Sequence, residues 1–257
     1  MRFDGVGLRS VADLLGRLRR LRAPDPQLPL WFRGVTTARH RLVPSLNRSP
    51  GLFQREQALI NAFKQNAVQF LDERPQSEWE WVFLARHHGV PTRLLDWTES
   101  PLIGLYFAVH SGSAPDRHPR SAGALWVLFP TLLNESANVK LASKHALPMF
   151  EEPDPNLDNY LPIRVAAKTS AAMDPIAGIA VRYSKRMQAQ QSVFTVTHRK
   201  PTAVDKVGDG NHVGRFTIDV HAKERIRADL EAMRVDQLAV FPELDNAAWL
   251  ARRANDV

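Results

Sequence analysis

Two arginines, two histidines, two threonines, an aspartate, a glutamate and a serine crowd one stretch, Arg86-His-His-Gly-Val-Pro-Thr-Arg-Leu-Leu-Asp-Trp-Thr-Glu-Ser-Pro101. An apolar segment, Leu102-Ile-Gly-Leu-Tyr-Phe-Ala-Val109, follows at once. Polar side chains this dense beside a core must satisfy one another or meet a ligand. Arg93 offers a planar fork for a phosphate or carboxylate, Asp96 a counter-charge, His88 a proton acceptor, and Thr98 and Ser100 hydroxyls. Chemistry alone leaves two readings open: a ligand site, or a polar corner that holds a loop. Ser100 before Pro101 fits a helix N-cap with proline at the first helical position. Leu102, Leu105, Tyr106 and Val109 then recur at the spacing of one buried helix face. The polar run is therefore expected to be a loop delivered to the start of a buried helix, a place that receives anionic or polar ligands.

Other chemistry-bearing residues lie far away in the chain. Arg33 interrupts the apolar segment Leu30-Trp-Phe-Arg-Gly34. A buried arginine needs a carboxylate, carbonyls or an anionic ligand. At a strand end before Gly34, it suits a phosphate or ribose contact as well as a structural salt bridge. Arg186 and Gln190 sit in a polar run that precedes the strand Val193 to His198. They are placed either to converge on the site or to cap a strand. Glu243 and Asp245 follow a short expected strand at Gln237 to Phe241. His87 and His88 fall in the last turn of a helix capped by Ser77, with Glu80 completing a capping box and Gly89 as the stop. Capping of the helix dipole accounts for one of them. No third histidine or carboxylate pair completes a metal-ligand spacing, so no metal is expected.

The elements that must position these groups are readable in outline. Ser10-Val-Ala-Asp13 starts a helix whose stripe is Val11, Leu14, Leu15, Leu18 and Leu21, with Arg17, Arg19 and Arg20 on a solvated face. Pro24, Pro26 and Pro29 end it. A long helix is expected from Gln54 to Leu71, with Leu59, Ala62, Phe63, Ala67, Phe70 and Leu71 among its apolar positions. Ala124 to Phe129 reads as a central strand, and Ser111 to Ser121 before it as a polar surface loop. Residues 130–175 read as a loop-rich insertion with a short helix or two. Lys200 to Asn211 is turn-rich, Val213 to Val220 alternates as a strand, Ala222 to Met233 is an amphipathic helix, and Ala247 to Arg253 a last helix. Helices dominate the first half and strands the second. The fold class is α+β: a single domain with a helical N-terminal half and a mostly antiparallel sheet, divided into an N-terminal helix (1–27) and a main domain (28–257).

The 257 residues, 44% hydrophobic and 24% charged, suffice for one sizeable core. The absence of cysteine excludes disulfides, a thiol nucleophile and cysteine-ligated metal, and fits a reducing compartment. No apolar run reaches membrane-spanning length and no signal-like segment opens the chain, so a cytoplasmic protein without membrane contact is expected. The net charge of +7, scattered rather than blocked, leaves polyanions, an anionic nucleotide and plain solubility all open. No nucleophile elbow, P-loop or dinucleotide-fold glycine fingerprint occurs.

Trp31-Phe-Arg-Gly34, the run from His87 through Ala108, and Phe241-Pro-Glu-Leu-Asp245 together resemble the FRG domain family, named for its Phe/Tyr-Arg-Gly motif. Arg186-Met-Gln-Ala-Gln-Gln-Ser-Val-Phe-Thr195 is similar to the family's Arg-x-x-Ala-Gln-x-Gly-x-Phe segment, with Ser192 where glycine is usual. The resemblance covers about residues 28 to 250. The chain is also similar to ADP-ribosyltransferases, which open their core with a strand ending in Tyr-Arg-Gly. They continue with a Ser-Thr-Ser strand leading into a helix of the form Ala-x-x-Phe-Ala, and end with a late glutamate. Arg33-Gly34 matches the first element, and Thr98-Glu-Ser100 with Gly104-Leu-Tyr-Phe-Ala108 resembles the second. Glu243 stands for the third, without the usual Gln/Glu-x-Glu context.

That resemblance implies the ADP-ribosyltransferase fold, NAD as substrate, and a toxin or phage-defence effector held by an antitoxin or inhibitor. It implies Arg33 and Glu243 at the chemistry; His88 is a further catalytic candidate, although it, Arg93 and Asp96 have no counterpart in that scheme and are assigned to shaping the pocket. Arg33, Gly34, Arg93, Asp96, Thr98, Ser100, Tyr106, Arg186 and Gln190 would hold the dinucleotide, with Asp96 orienting Arg93 or Arg33. Two other readings stand beside it. One is a non-catalytic module that binds a nucleotide or nucleic acid through Arg33 and Arg93. The other is a metal-free nuclease with His88 as general base.

Overall fold

A computed structural model describes residues 3, 5–48, 51–110, 121–140, 142–151, 153–167 and 171–255. In chain order the elements are β1 (Val6–Gly7), α1 (Val11–Arg22), β2 (Trp31–Val35), α2 (Glu56–Ala67), α3 (Glu78–His87), β3 (Leu94–Thr98), α4 (Pro101–Val109) and β4 (Gly123–Leu128). They continue with α5 (Pro130–Ser136), α6 (Pro162–Ala167), β5 (Ile176–Gly178), α7 (Lys185–Ala189), β6 (Ser192–Val196), β7 (Val213–Ile218), α8 (Val220–Ala232), α9 (Gln237–Val240) and α10 (Leu244–Ala254). Short 3-10 turns flank α2 and interrupt the loops. The expected surface loop at Ser111 to Ser121 lies, except for Ser121, outside the described residues.

One sheet runs through the chain in the order β1-β7-β4-β2-β3-β6-β5, antiparallel except for the β1–β7 pair. The fold is α+β, as the sequence predicts, but its halves are not segregated: four of the seven strands, β1 to β4, lie at or before residue 128. The largest departure is β3. The stretch expected as a loop is a strand from Leu94, inserted between β2 and β6. Its polar residues hid the period, because Asp96 and Thr98 share a face with Leu94 while Leu95 and Trp97 fill the opposite core. Gln237 to Val240, expected as a strand, forms a helical turn capped by Asp236, whose side chain accepts from the Ala239 amide.

Local signals set the helix starts. Ser10, Ser77 and Ser100 each accept a hydrogen bond from an amide three residues on. At α3 the Glu80 carboxylate reaches back to the Gln76 amide, one residue before the cap. At α2 the long helix shortens: Glu56 and Ile60 form its buried edge, and Phe70 beyond its end is 80% exposed. In α1, Leu14 is buried but Leu15 faces solvent. None of the described helices is long and apolar enough to cross a membrane.

Two helix layers cover one face of the sheet. Helices α1, α4 and α8 pack over β2, β4 and β7 around Leu14, Phe32, Leu105, Leu125, Phe216 and Ile226. Helices α2 and α3 pack over β3 and β6 around Ile60, Trp79, Phe83, Leu94 and Phe194. Phe150, Leu157, Tyr160 and Leu161 of the expected insertion belong to this second cluster, so that segment is part of the core. Trp31, Leu95, Trp97 and Trp126 fill the opposite face under the loops near Leu42 and Val204. The sheet parts where the two helix layers part. β2 and β3 share one register pair, Phe32 with Thr98, whereas β2–β4 and β3–β6 are paired along their lengths.

Candidate functional site

The opening between β2 and β3 is the floor of a cleft of about 430 Å³. β2 contributes Phe32, Arg33 and Gly34, and β3 contributes Asp96, Trp97 and Thr98. The C-terminal turn of α3 brings Phe83, Arg86 and His87, and α4 brings Phe107. Arg186, Met187 and Gln190 enter from α7, and Ser192 and Phe194 from β6. Gly89, at φ +85°, stops α3 so that His87 lies at the cleft. Gln191, at φ +45°, turns α7 into β6 while its carbonyl accepts the Glu99 amide.

Charge in the cleft is arranged around Asp96. Arg86 holds its carboxylate with both arms of the guanidinium, Nε to Oδ1 at 2.7 Å and Nη2 to Oδ2, and its Nη1 donates to Thr92 Oγ1 at 3.0 Å. Arg33 Nη1 donates to the Asp96 carbonyl at 2.6 Å and lies 3.9 Å from Oδ2. Its Nε and Nη2 have no protein acceptor among the described residues. Burial opposes ionisation of Asp96, but the charge and hydrogen bonds of Arg86, with Arg33 behind them, outweigh it and hold the carboxyl below its ordinary range. Burial, together with Arg86 and Arg48, lowers Arg33 to about 10 against the pull of Asp96, so it remains a cation at neutral pH. Burial first, then the charges of Arg186 and His88, depress His87, leaving a neutral imidazole. Arg186 lies over the Phe241 ring at 4.7 Å and 3.6 Å from Glu243 Oε1.

Arg33, Gly34, Asp96, Thr98, Arg186 and Gln190 of the sequence-predicted site line one cavity. Glu243 does not line it and reaches it through Arg186. Gly34 has a steric role: a Cβ there would lie 2.0 Å from the Gly104 carbonyl oxygen and 2.4 Å from the Ala108 amide, so α4 sits directly on β2. Thr98 Oγ1 accepts the Ser100 amide, and Ser100 is the α4 cap, outside the lining.

Arg93 is a core arginine, 1% exposed, pairing with Glu56 and donating to the carbonyls of Thr197 and Tyr160. Asp96 therefore orients Arg86, with Arg33 beside it, and not Arg93. The reason is register: Arg93 precedes β3 and points toward α2, while Asp96 faces the cleft. Tyr106 is buried beneath α9 with its hydroxyl on Gln237. His88 is exposed outside the lining, its ring 6.0 Å from that of Phe63.

In the sequence Arg86 carries no sign of a ligand, and helix capping accounts for one of His87 and His88. Phe107 and Phe194 carry no site signal there, and Ser192 stands out only as a departure from the family segment. The spacing of Arg86 and His87 before the Gly89 stop was the one signal that could have found them. Among the described residues no group of three histidine, aspartate or glutamate side chains could hold a metal ion.

Neither a curated protein nor a solved structure matched the chain. The family profile described as FRG domain matches residues 29–117, a span holding β2, α3, β3 and α4. Arg186, Gln190 and Glu243 lie beyond that span. The segment that carries Arg33, Asp96 and Thr98 therefore matches the FRG domain family.

Proposed function

We propose that the cleft binds NAD and cleaves its nicotinamide–ribose bond, transferring ADP-ribose to a nucleophile. The observation that carries this reading is the meeting of Arg33, Asp96, Thr98 and Arg186 in one cavity, although they lie on segments up to 153 residues apart (186 − 33). In the reaction the C1′–N bond breaks and nicotinamide leaves neutral with the bonding electrons. The oxocarbenium-like ribose is then captured by a nucleophile that loses its proton. Arg33 and Arg186 supply cationic forks for the phosphates and ribose oxygens. Phe107 and Phe194 supply apolar walls. Glu243 does not line the cavity and bears on this chemistry only through Arg186, 3.6 Å away. The proton acceptor nearest this chemistry is the neutral His87, not His88.

In a cell this chemistry makes the protein a cytoplasmic toxin or defence effector that consumes NAD or modifies a target, with an inhibitor covering the cleft. Titration calorimetry of the full chain with NAD, alongside nucleotide quantification in expressing cells, tests the reading. Binding and NAD loss are expected, both abolished by Arg33→Ala. Binding without turnover of any nucleotide would favour the non-catalytic module instead. No binding of NAD, with a salt-steep affinity for RNA or DNA, would favour a nucleic-acid partner.

A further inference from the structure

Asp96 is out of place in a site that only holds phosphate. Its side chain is 48% exposed even though Arg86 grips both oxygens, so it presents negative charge to the cleft beside Arg33. A phosphate placed there would face a carboxylate, and an ammonium would face Arg33 and Arg86. Both charged classes meet a like charge at short range. A neutral group that donates to Asp96 and accepts from Arg33 meets neither penalty.

A carboxylate has about four lone-pair positions, and Arg86 takes one on each oxygen. Each oxygen therefore keeps acceptor capacity. Arg33, 3.9 Å away, keeps Nε and Nη2 as donors. Thr98 and Ser192, paired across β3 and β6, bring two hydroxyls to the same face. Arg86, anchored on Thr92, fixes the carboxylate so that it need not be ordered when a ligand arrives.

We infer that Asp96 and Arg33 together read the vicinal diol of a ribose, Asp96 accepting from the two hydroxyls and Arg33 donating to one of them. The inference rests on the NAD reading and deepens it. The ribose end of the ligand lies at Asp96, which leaves the phosphates to the end of the cleft that Arg186 commands. Asp96 is then a specificity residue that discriminates against ligands lacking a hydroxyl, since an acceptor position facing the ligand would be left unmatched.

The test is titration calorimetry of the full wild-type chain with three ligands: ADP-ribose, its analogue lacking the 2′-hydroxyl of the adenosine ribose, and its analogue lacking that of the terminal ribose. One analogue is expected to bind about tenfold more weakly than ADP-ribose, or worse. In Asp96→Asn that difference should shrink to near nothing while ADP-ribose still binds. A structural role for Asp96 would weaken all three ligands alike. If the three bind equally in the wild-type chain and Arg33→Ala abolishes all of them, the diol assignment is wrong and the nucleotide site stands. If ADP-ribose itself does not bind, both readings fall. The wild-type series decides the matter even if Asp96→Asn folds poorly, and a folded Asp96→Asn that keeps the discrimination would overturn the role of Asp96.

Discussion

Three arginines in or beside β3 divide the work among them, and their surroundings explain how. Arg93 is enclosed by Glu56 and two carbonyls, Arg86 is committed to Asp96 and Thr92, and Arg33 alone keeps donors turned to the cleft. Removing a partner from a buried ion pair strands a charge. Glu56→Gln, at a side chain 5% exposed, is therefore expected to destabilise the fold by roughly 3–5 kcal/mol. Urea denaturation measures this, and a loss below 1 kcal/mol on the same scale of about 3–5 would show that the pair contributes little. Arg33→Lys separates shape from charge. The ammonium keeps the cation but loses the planar fork, so NAD affinity is expected to fall by about tenfold with little change in denaturation midpoint. An unaltered affinity would mean that Arg33 acts as a point charge.

At the scale of elements, the cleft exists because α4 lies flat on β2 while α3 holds back from it. Gly34 and Gly104 permit the first. A Cβ on Gly104 would come within 2.8 Å of Phe32 and Leu125. Gly34→Ala forces a methyl into the α4 backbone, which cannot move without lifting off the sheet. The expected cost is about 1–3 kcal/mol or more, read from the same denaturation experiment together with a loss of ligand binding as β2 shifts. Placement of α3 depends on the box at Ser77 and Glu80. Ser77→Ala should cost about 1 kcal/mol. Because the box lies at the far end of α3 from Arg86 and His87, ligand affinity should hardly change. A large loss of affinity would mean that the whole helix moves.

For the molecule as a whole, buried histidines make stability depend on acid. His198 is fully buried. Burial first, and then the charge of Arg93, lowers it to about 4 from its ordinary 6.5. The unfolded chain therefore binds a proton between those values that the folded chain refuses. That contribution is fully present above pH 6.5 and is lost as the pH falls toward 4. His212, depressed mainly by burial, acts in the same direction. Denaturation at neutral and mildly acidic pH should show the wild-type chain losing stability in that window, and His198→Gln, if folded, losing less. A flat profile in both would mean that other groups set the acid limit.

Periodicity and caps in the sequence were enough for α1, α3, α4, β2, β4 and β7, because each carries its own signal within a few residues: a serine before a stripe, a glycine after it, or an unbroken apolar run. The FRG motif likewise marked Arg33, Asp96 and Thr98 without any knowledge of their contacts. Tertiary structure decided what local signals cannot encode. β3 is a strand because β2 and β6 supply its hydrogen bonds, and its own polar alternation looked like a loop. Arg93 went to the core and Arg86 to the cleft because Glu56 and Asp96, on different elements, compete for guanidinium groups. His87 and not His88 faces the cavity because a helix turns 100° per residue and the packing of α3 on Phe194 sets its rotation. A site assembled from residues on six elements is a property of the packing, and the sequence holds only its parts.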